Sequence, residues 1–159
     1  MEETLFYVGQ KLIEAWEANE TVDPGDPQLH EVRPGYAVKY ENGYTSWSPK
    51  DVFEAAYRPL DRLDFAGALF MLKRGKRVAR AGWNGRGQWV VLMPGLKLPP
   101  FSSQEPGAKV NDRTAKHIGA DTPLDSQPYF ALWNAQGKWQ PGWVPSVSDV
   151  LAEDWTVVE

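Results

Sequence analysis

The chain has 159 residues, 42% hydrophobic and 24% charged, the makeup of a folded globular protein and not of a disordered one. That length fits one ordinary domain, or a small domain joined to a smaller one. Cysteine is absent, which excludes disulfides, thiolate metal sites and cysteine nucleophiles; the two histidines, His30 and His117, stand too far apart in sequence to make a short-spaced metal pair. The net charge of −4 argues against general binding to duplex nucleic acid, which rewards a broad basic face.

That charge is unevenly placed. Residues 1–60 carry 11 acidic against 5 basic side chains, and residues 61–159 carry 10 against 12. An acidic front and a mildly basic back point to two distinct parts, a small accessory module over 1–60 and a second domain over 61–159. No apolar run approaches the roughly 20 residues that cross a bilayer. The opening Met1-Glu2-Glu3-Thr4-Leu5 lacks the basic-then-apolar pattern of a signal peptide, so a cytoplasmic home is the expectation.

In chain order, Leu5-Phe6-Tyr7-Val8 is a short apolar run that reads as a strand, and Lys11–Ala18 fits either a helix or a strand. Residues 20–35 hold Pro24, Pro27 and Pro34 and read as loop. Tyr36, Val38 and Tyr40 alternate with Ala37 and Lys39, and Asn42-Gly43 closes them onto Tyr44–Trp47, a hairpin with a type I′ turn. Ser48, Pro49 and Asp51 have the spacing of a capping box. Val52, Phe53, Ala56 and Tyr57 would be the apolar face of the short helix that follows.

Pro59 breaks that helix and a new start signal follows. Asp64 is placed to cap a helix over 64–74, with Phe65, Ala68, Leu69 and Leu72 as one stripe, cations at its end and Gly75 beyond. Lys76–Arg80 reads as a strand, Gly82–Gly87 as a glycine-rich turn, and Gln88–Met93 as a central strand apolar on both faces. Residues 94–128 read as one long proline-rich loop. Tyr129–Trp133 is a strand, Asn134–Gly137 a hairpin turn into Lys138-Trp139, Ser146 the cap of a one- or two-turn helix, and Trp155–Val158 a final strand. The fold class is therefore α+β: a small antiparallel sheet with an N-terminal helix in residues 61–159, preceded by a hairpin–helix module.

Residues 73–86 hold six cations and no acid. Arg80 and Arg86 bracket the glycine turn, and an arginine fork matches phosphate oxygens. Between them Trp83 offers a flat ring and Asn84 an amide. Spacing alone leaves Trp83 open between a stacking face and a core ring. Trp143, Ser146 and Asp149 recur every third residue; Ser146 and Asp149 read either as ligand contacts or as a simple helix cap. No Ser–His–Asp order, activated nucleophile or metal cage is visible, so no catalytic residue, metal or cofactor is expected.

The run Phe65-x-x-Ala68-Leu69-x-x-Leu72-Lys73-x-Gly75-Lys76-x-Val78-Ala79-Arg80-x-Gly82-Trp83-Asn84-Gly85-x-Gly87 resembles the opening of the phage Thoeris anti-defence type-two family. The ending Trp143-x-x-Ser146-x-x-Asp149-x-Leu151-Ala152-Glu153-Asp154-Trp155 resembles that family's closing motif. The resemblance implies a signal sponge: a homo-tetramer that binds cyclic ADP-ribose isomers made by bacterial TIR enzymes, in some relatives also cyclic dinucleotides, in pockets between protomers, and releases them unchanged. It implies that Trp83 stacks on the base, with Phe130 a second aromatic, and that Asn84, Asn134, Ser146 and Asp149 are polar contacts. The first 60 residues lie outside the resemblance to the sponge. A hydrolase that destroys the same signal and a phage structural or DNA-binding accessory are the competing readings.

Overall fold

The computed structural model describes residues 4–22 and 31–159. The chain divides into two compact units, 1–59 and 60–159.

The first unit is built on strands β1 (Ile13–Glu17), β4 (Gly35–Tyr40) and β5 (Thr45–Pro49), an antiparallel sheet in the order β1-β4-β5. Helix α1 (Lys50–Ala56) follows β5 directly. The alternation from Tyr36 to Tyr40 is a true strand pattern, with Val38 buried. Gly35 is required for packing: the Trp47 ring and the Ser48 carbonyl occupy the space a Cβ would fill. The Trp47 indole donates to the Ala18 carbonyl at 2.7 Å. The ambiguous segment at 11–18 is thus strand, because β4 offers it a partner.

Four local expectations for this unit are overturned. Leu5–Val8 is not a strand; the run is exposed, and no described strand pairs with it. The 20–35 segment is not all loop: β2 (Glu20–Val22) and β3 (Glu31–Arg33) pair with each other, while residues 23–30 lie outside the described residues. Each short strand holds a single valine, so no alternating apolar pattern announces them. The Asn42-Gly43 turn is not type I′. Only Gly43 has positive φ (85°), its N–H donates to the Tyr40 carbonyl at 2.8 Å, and the Tyr40 N–H donates to the Tyr44 carbonyl at 2.8 Å. That is a three-residue loop, a type I turn followed by a left-handed glycine. Finally, no capping box opens α1. Ser48 is held in β5 opposite Tyr36, and the cap position falls to Pro49, which makes no side-chain cap bond. Val52 and Ala56 are exposed; the packing face is Phe53 and Tyr57, with Phe53 stacked 4.2 Å from Tyr36 and 5.0 Å from Tyr57.

In the second unit, helix α2 (Phe65–Lys73) lies on a five-stranded antiparallel sheet of β6 (Arg77–Arg80), β7 (Trp89–Met93), β10 (Tyr129–Trp133), β11 (Trp139–Pro141) and β12 (Trp155–Val158), in the order β11-β10-β7-β6-β12. The Asp64 carboxylate accepts the Gly67 N–H at 2.8 Å, and Gly75 ends the helix at φ 79°, as the sequence signals. Ala68, Met71 and Leu72 of α2 close over Val78, Val90 and Trp155, all buried. Full burial of a tryptophan removes roughly 150–250 Å² from water, about 4–6 kcal/mol before chain entropy is counted. Leu63 exchanges backbone bonds with Trp155 (2.8 and 3.0 Å), tying the start of the unit to its end.

The segment 94–128 is not one long loop. It holds β8 (Leu96–Leu98), α3 (Asp112–Ile118) and β9 (Leu124–Ser126), with β8 and β9 paired. Asn111 caps α3 by accepting the Thr114 N–H at 2.8 Å. Val110 and Ala115 are its buried apolar anchors. Two small apolar residues are too few to print a periodic signal. Helix α4 (Val147–Val150) fills the approach to β12.

Candidate functional site

Antiparallel pairing sets Trp155 opposite Arg80, so the end of β6, the turn after it and the start of β12 meet. The Ala81 N–H donates to the Asp154 carbonyl (3.0 Å) and the Gly82 N–H to Asp154 Oδ2 (2.7 Å). From here the turn carries Trp83 over α4. Ser146 and Asp149 form a full capping box there: the Ser146 N–H and Oγ donate to Asp149 Oδ2 (2.9 and 2.8 Å), and Ser146 Oγ accepts the Asp149 N–H (3.1 Å).

Asp149 is the hub. Its Oδ1 accepts Arg80 Nη1 and Trp83 Nε1, both at 3.0 Å, and its backbone carbonyl accepts the Trp155 indole at 2.8 Å. Two bonds on each carboxylate oxygen use its acceptor capacity fully. It is the one buried charged side chain among the described residues, 8% exposed. Burial pushes its pKa up, but the donors Trp83, Ser146 and Arg80 outweigh that and hold it at about 2. Arg80 Nε also donates to Asp154 Oδ1 at 2.8 Å. That bond holds the Asp154 carboxyl below its usual range, and the two carboxylates push the Arg80 guanidinium higher still.

Around this hub stand aromatic rings. Trp83 meets Trp155 edge-on at 5.4 Å and Trp143 at 6.0 Å, and Phe130 reaches Trp143 at 6.2 Å. The Trp143 N–H donates to the Phe130 carbonyl at 2.9 Å. Trp83, Trp143 and Phe130 are half-buried; only Trp155 is fully enclosed. Such a wall offers ring faces and edges to a flat ligand. Its carboxylates, fixed in the charged form, are not poised for proton transfer near neutral pH.

Of the nine residues singled out in the sequence, Arg80, Trp83, Phe130, Trp143, Ser146 and Asp149 come together here. Asn84 and Arg86 are exposed further along the same turn. Asn134 serves its own hairpin, its Oδ1 accepting the Gln136 and Lys138 N–H groups (3.0 and 2.9 Å). Asp154, present in the closing motif but not singled out as a site residue, joins the site because the β6–β12 register brings it to Arg80. Sequence reasoning missed a second aromatic group: Trp89 is stacked 6.0 Å from Trp133, edge-on to Trp139 at 6.2 Å, with the Arg77 guanidinium 5.0 Å from its ring. Among the described residues no group of three or more acidic or histidine side chains could hold a metal, and no helix is long and apolar enough to cross a membrane.

The family model for the Thoeris anti-defense 2-like domain matches residues 63–158. The chain belongs to the Thoeris anti-defense 2-like family. The match takes in every element from α2 to β12, and with them the whole Asp149 hub. Within the family, Thoeris anti-defense 2 of Bacillus phage SP01 is similar to this chain, 31% identical over 97 residues that make up 61% of this chain and 96% of the relative. Residues 1–62, which take in the whole first unit, lie outside the family match.

Proposed function

We propose that the protein is a phage anti-defence sponge: it binds a cyclic ADP-ribose-type immune signal, and by the same chemistry cyclic dinucleotides, holds it without cleaving it, and so blunts Thoeris-like immunity in the cytoplasm of an infected bacterium. Family membership supports the anti-defence role. The observation that carries the mechanism is the state of Asp149. A carboxylate bonded by four donors and held near pKa 2 is a brace for the Trp83 ring and not an acid or base. The site thus offers rigid aromatic surface with polar groups and basic charge nearby, which suits recognition of a nucleobase and phosphates.

The sponge works as a homo-tetramer with pockets completed between protomers. Val144, Val147 and Leu151, each at least 75% exposed, flank Ser146 and Asp149. Aliphatic side chains left in water beside a binding wall support coverage by a second copy. Calorimetry against cyclic ADP-ribose isomers and cyclic dinucleotides tests the reading: saturable binding with a defined stoichiometry is the expected result, and flat titrations across the panel refute it.

A further inference from the structure

Six cations lie between residues 73 and 86, and the geometry sorts them. Lys73, Arg74, Lys76 and Arg77 sit at the end of α2 and the start of β6. A strand rises about 3.3 Å per residue, which puts these groups roughly 10 Å or more of backbone from the Trp83 turn. Arg77 lies over Trp89, in the other aromatic group. Arg80 is beside Trp83, but its side chain is only 19% exposed and two carboxylates hold it, Asp154 through Nε at 2.8 Å and Asp149 through Nη1 at 3.0 Å. Two negative charges against one positive leave that end of the wall net anionic. A phosphate brought to Arg80 would face both carboxylates.

Arg86 is different. It stands between Gly85 and Gly87 on the same turn, is exposed, and forms no ion pair among the described residues. Its turn is folded on itself: the Gln88 side chain occupies the space a Cβ on Gly85 would take, Gln88 Nε2 donates to the Gly85 carbonyl at 3.4 Å, and Gly87 takes φ 72°. The other end of the turn is held by the Gly82 N–H bond to Asp154 at 2.7 Å.

We propose that Arg86 is the residue that meets the ligand's phosphate, and that Arg80 is a positioning residue which, bridging Asp149 and Asp154, fixes Trp83 and carries no ligand charge. The assignment rests on the sponge reading and sharpens it. The stacking face and the charged contact are neighbours on one turn, Trp83 and Arg86, while the cation nearest the ring is internal structure.

The test uses the full-length chain, with cyclic ADP-ribose and a cyclic dinucleotide as probes in calorimetry at several salt concentrations, and the Trp83 indole N–H resonance in the absence of any ligand. Arg86→Gln should weaken binding about tenfold and flatten its salt dependence, with melting temperature and indole resonance unchanged; Arg86→Lys should restore most of the affinity. Arg80→Lys should move the indole resonance before any ligand is added, because the bridge to both carboxylates is lost. Unchanged affinity and salt dependence in Arg86→Gln, beside a wild type that binds, overturns the proposal while leaving the sponge reading standing. An indole resonance unmoved by Arg80→Lys overturns the positioning role whatever binds. A wild type that binds neither probe removes the Arg86 assignment together with the sponge reading.

Discussion

The indole N–H of Trp83 donates to Oδ1 of Asp149 at 3.0 Å, joining a glycine turn to a four-residue helix 66 positions later. Neither partner of this bond is secured by local structure alone. Trp83 is anchored through Arg80 and Gly82 to the residues around Asp154, and Asp149 through Ser146 in its own cap and Arg80 on β6. The bond closes a ring of contacts from which several consequences follow.

Removing the donor while keeping a ring isolates the bond. In Trp83→Phe the Asp149 carboxylate loses one of four donors inside a shielded site. A hydrogen bond to a charged group contributes about 1.5–3 kcal/mol, so urea denaturation should show a loss in that range. Trp83→Ala should cost more, because Trp143 and Trp155 both pack against the ring, yet the enclosed Trp155 core should keep the unit folded. Ligand affinity in that variant should fall at least tenfold.

Asp149→Ala should be among the most destabilising single changes in the chain. It deletes the capping box and leaves the Trp83 indole and Ser146 without their acceptor, while Arg80 retains Asp154. Loss of one partner of a buried charged network costs about 3–5 kcal/mol. Asp149→Asn, which keeps an acceptor for the indole, should lose less than half as much. Denaturation midpoints of the two variants measured side by side check this ordering.

Acid should loosen this site first. The folded pKa of Asp149, about 2, lies below the roughly 3.9 of an unfolded aspartate, so its contribution is complete above pH ~4 and is lost as pH falls from there toward 2. The difference between the folded and unfolded values corresponds to roughly 2–3 kcal/mol. Asp154, also lowered through Arg80, acts in the same direction. Stability measured at pH 7 and pH 3 should drop more in the wild type than in Asp149→Asn.

The turn glycines should differ. A Cβ on Gly82 would lie 2.7 Å from Asp154 Oδ2, the atom that accepts the Gly82 N–H, so Gly82→Ala must displace a braced carboxylate. Overpacking of this kind costs about 1–3 kcal/mol. A Cβ on Gly85 would meet only the flexible Gln88 side chain, which can swing away. Gly85→Ala should therefore melt within a few degrees of the wild type, and a Gly82→Ala protein as stable as that one would contradict the geometry.

In the second unit, several structural decisions made within a few residues were legible in the sequence. Asp64, the apolar stripe of α2 and Gly75 mark that helix completely, and Asn134–Gly137 marks its hairpin. The Ser146–Asp149 spacing announces a cap, and the structure contains one. What was hidden depends on pairing across long separations. Asp154 lies 74 residues from Arg80, and an acidic pair in a turn looks solvated until β12 is placed on β6. Helix α3 hides behind prolines because Val110 and Ala115 give it too small an apolar face. The 41–43 loop keeps the composition of a type I′ turn but adds a residue, and composition does not count residues between paired strands.

The central claim is stoichiometric capture without chemistry, and recovery of the bound signal tests it most directly. The protein is incubated with an equimolar cyclic ADP-ribose isomer that it binds, separated from free ligand and heat-denatured, and the supernatant is assayed for cyclic and linear forms. Full return of the cyclic molecule, in proportion to the protein present, is the result the Asp149-braced wall predicts. Linear product accumulating over repeated turnovers would contradict it.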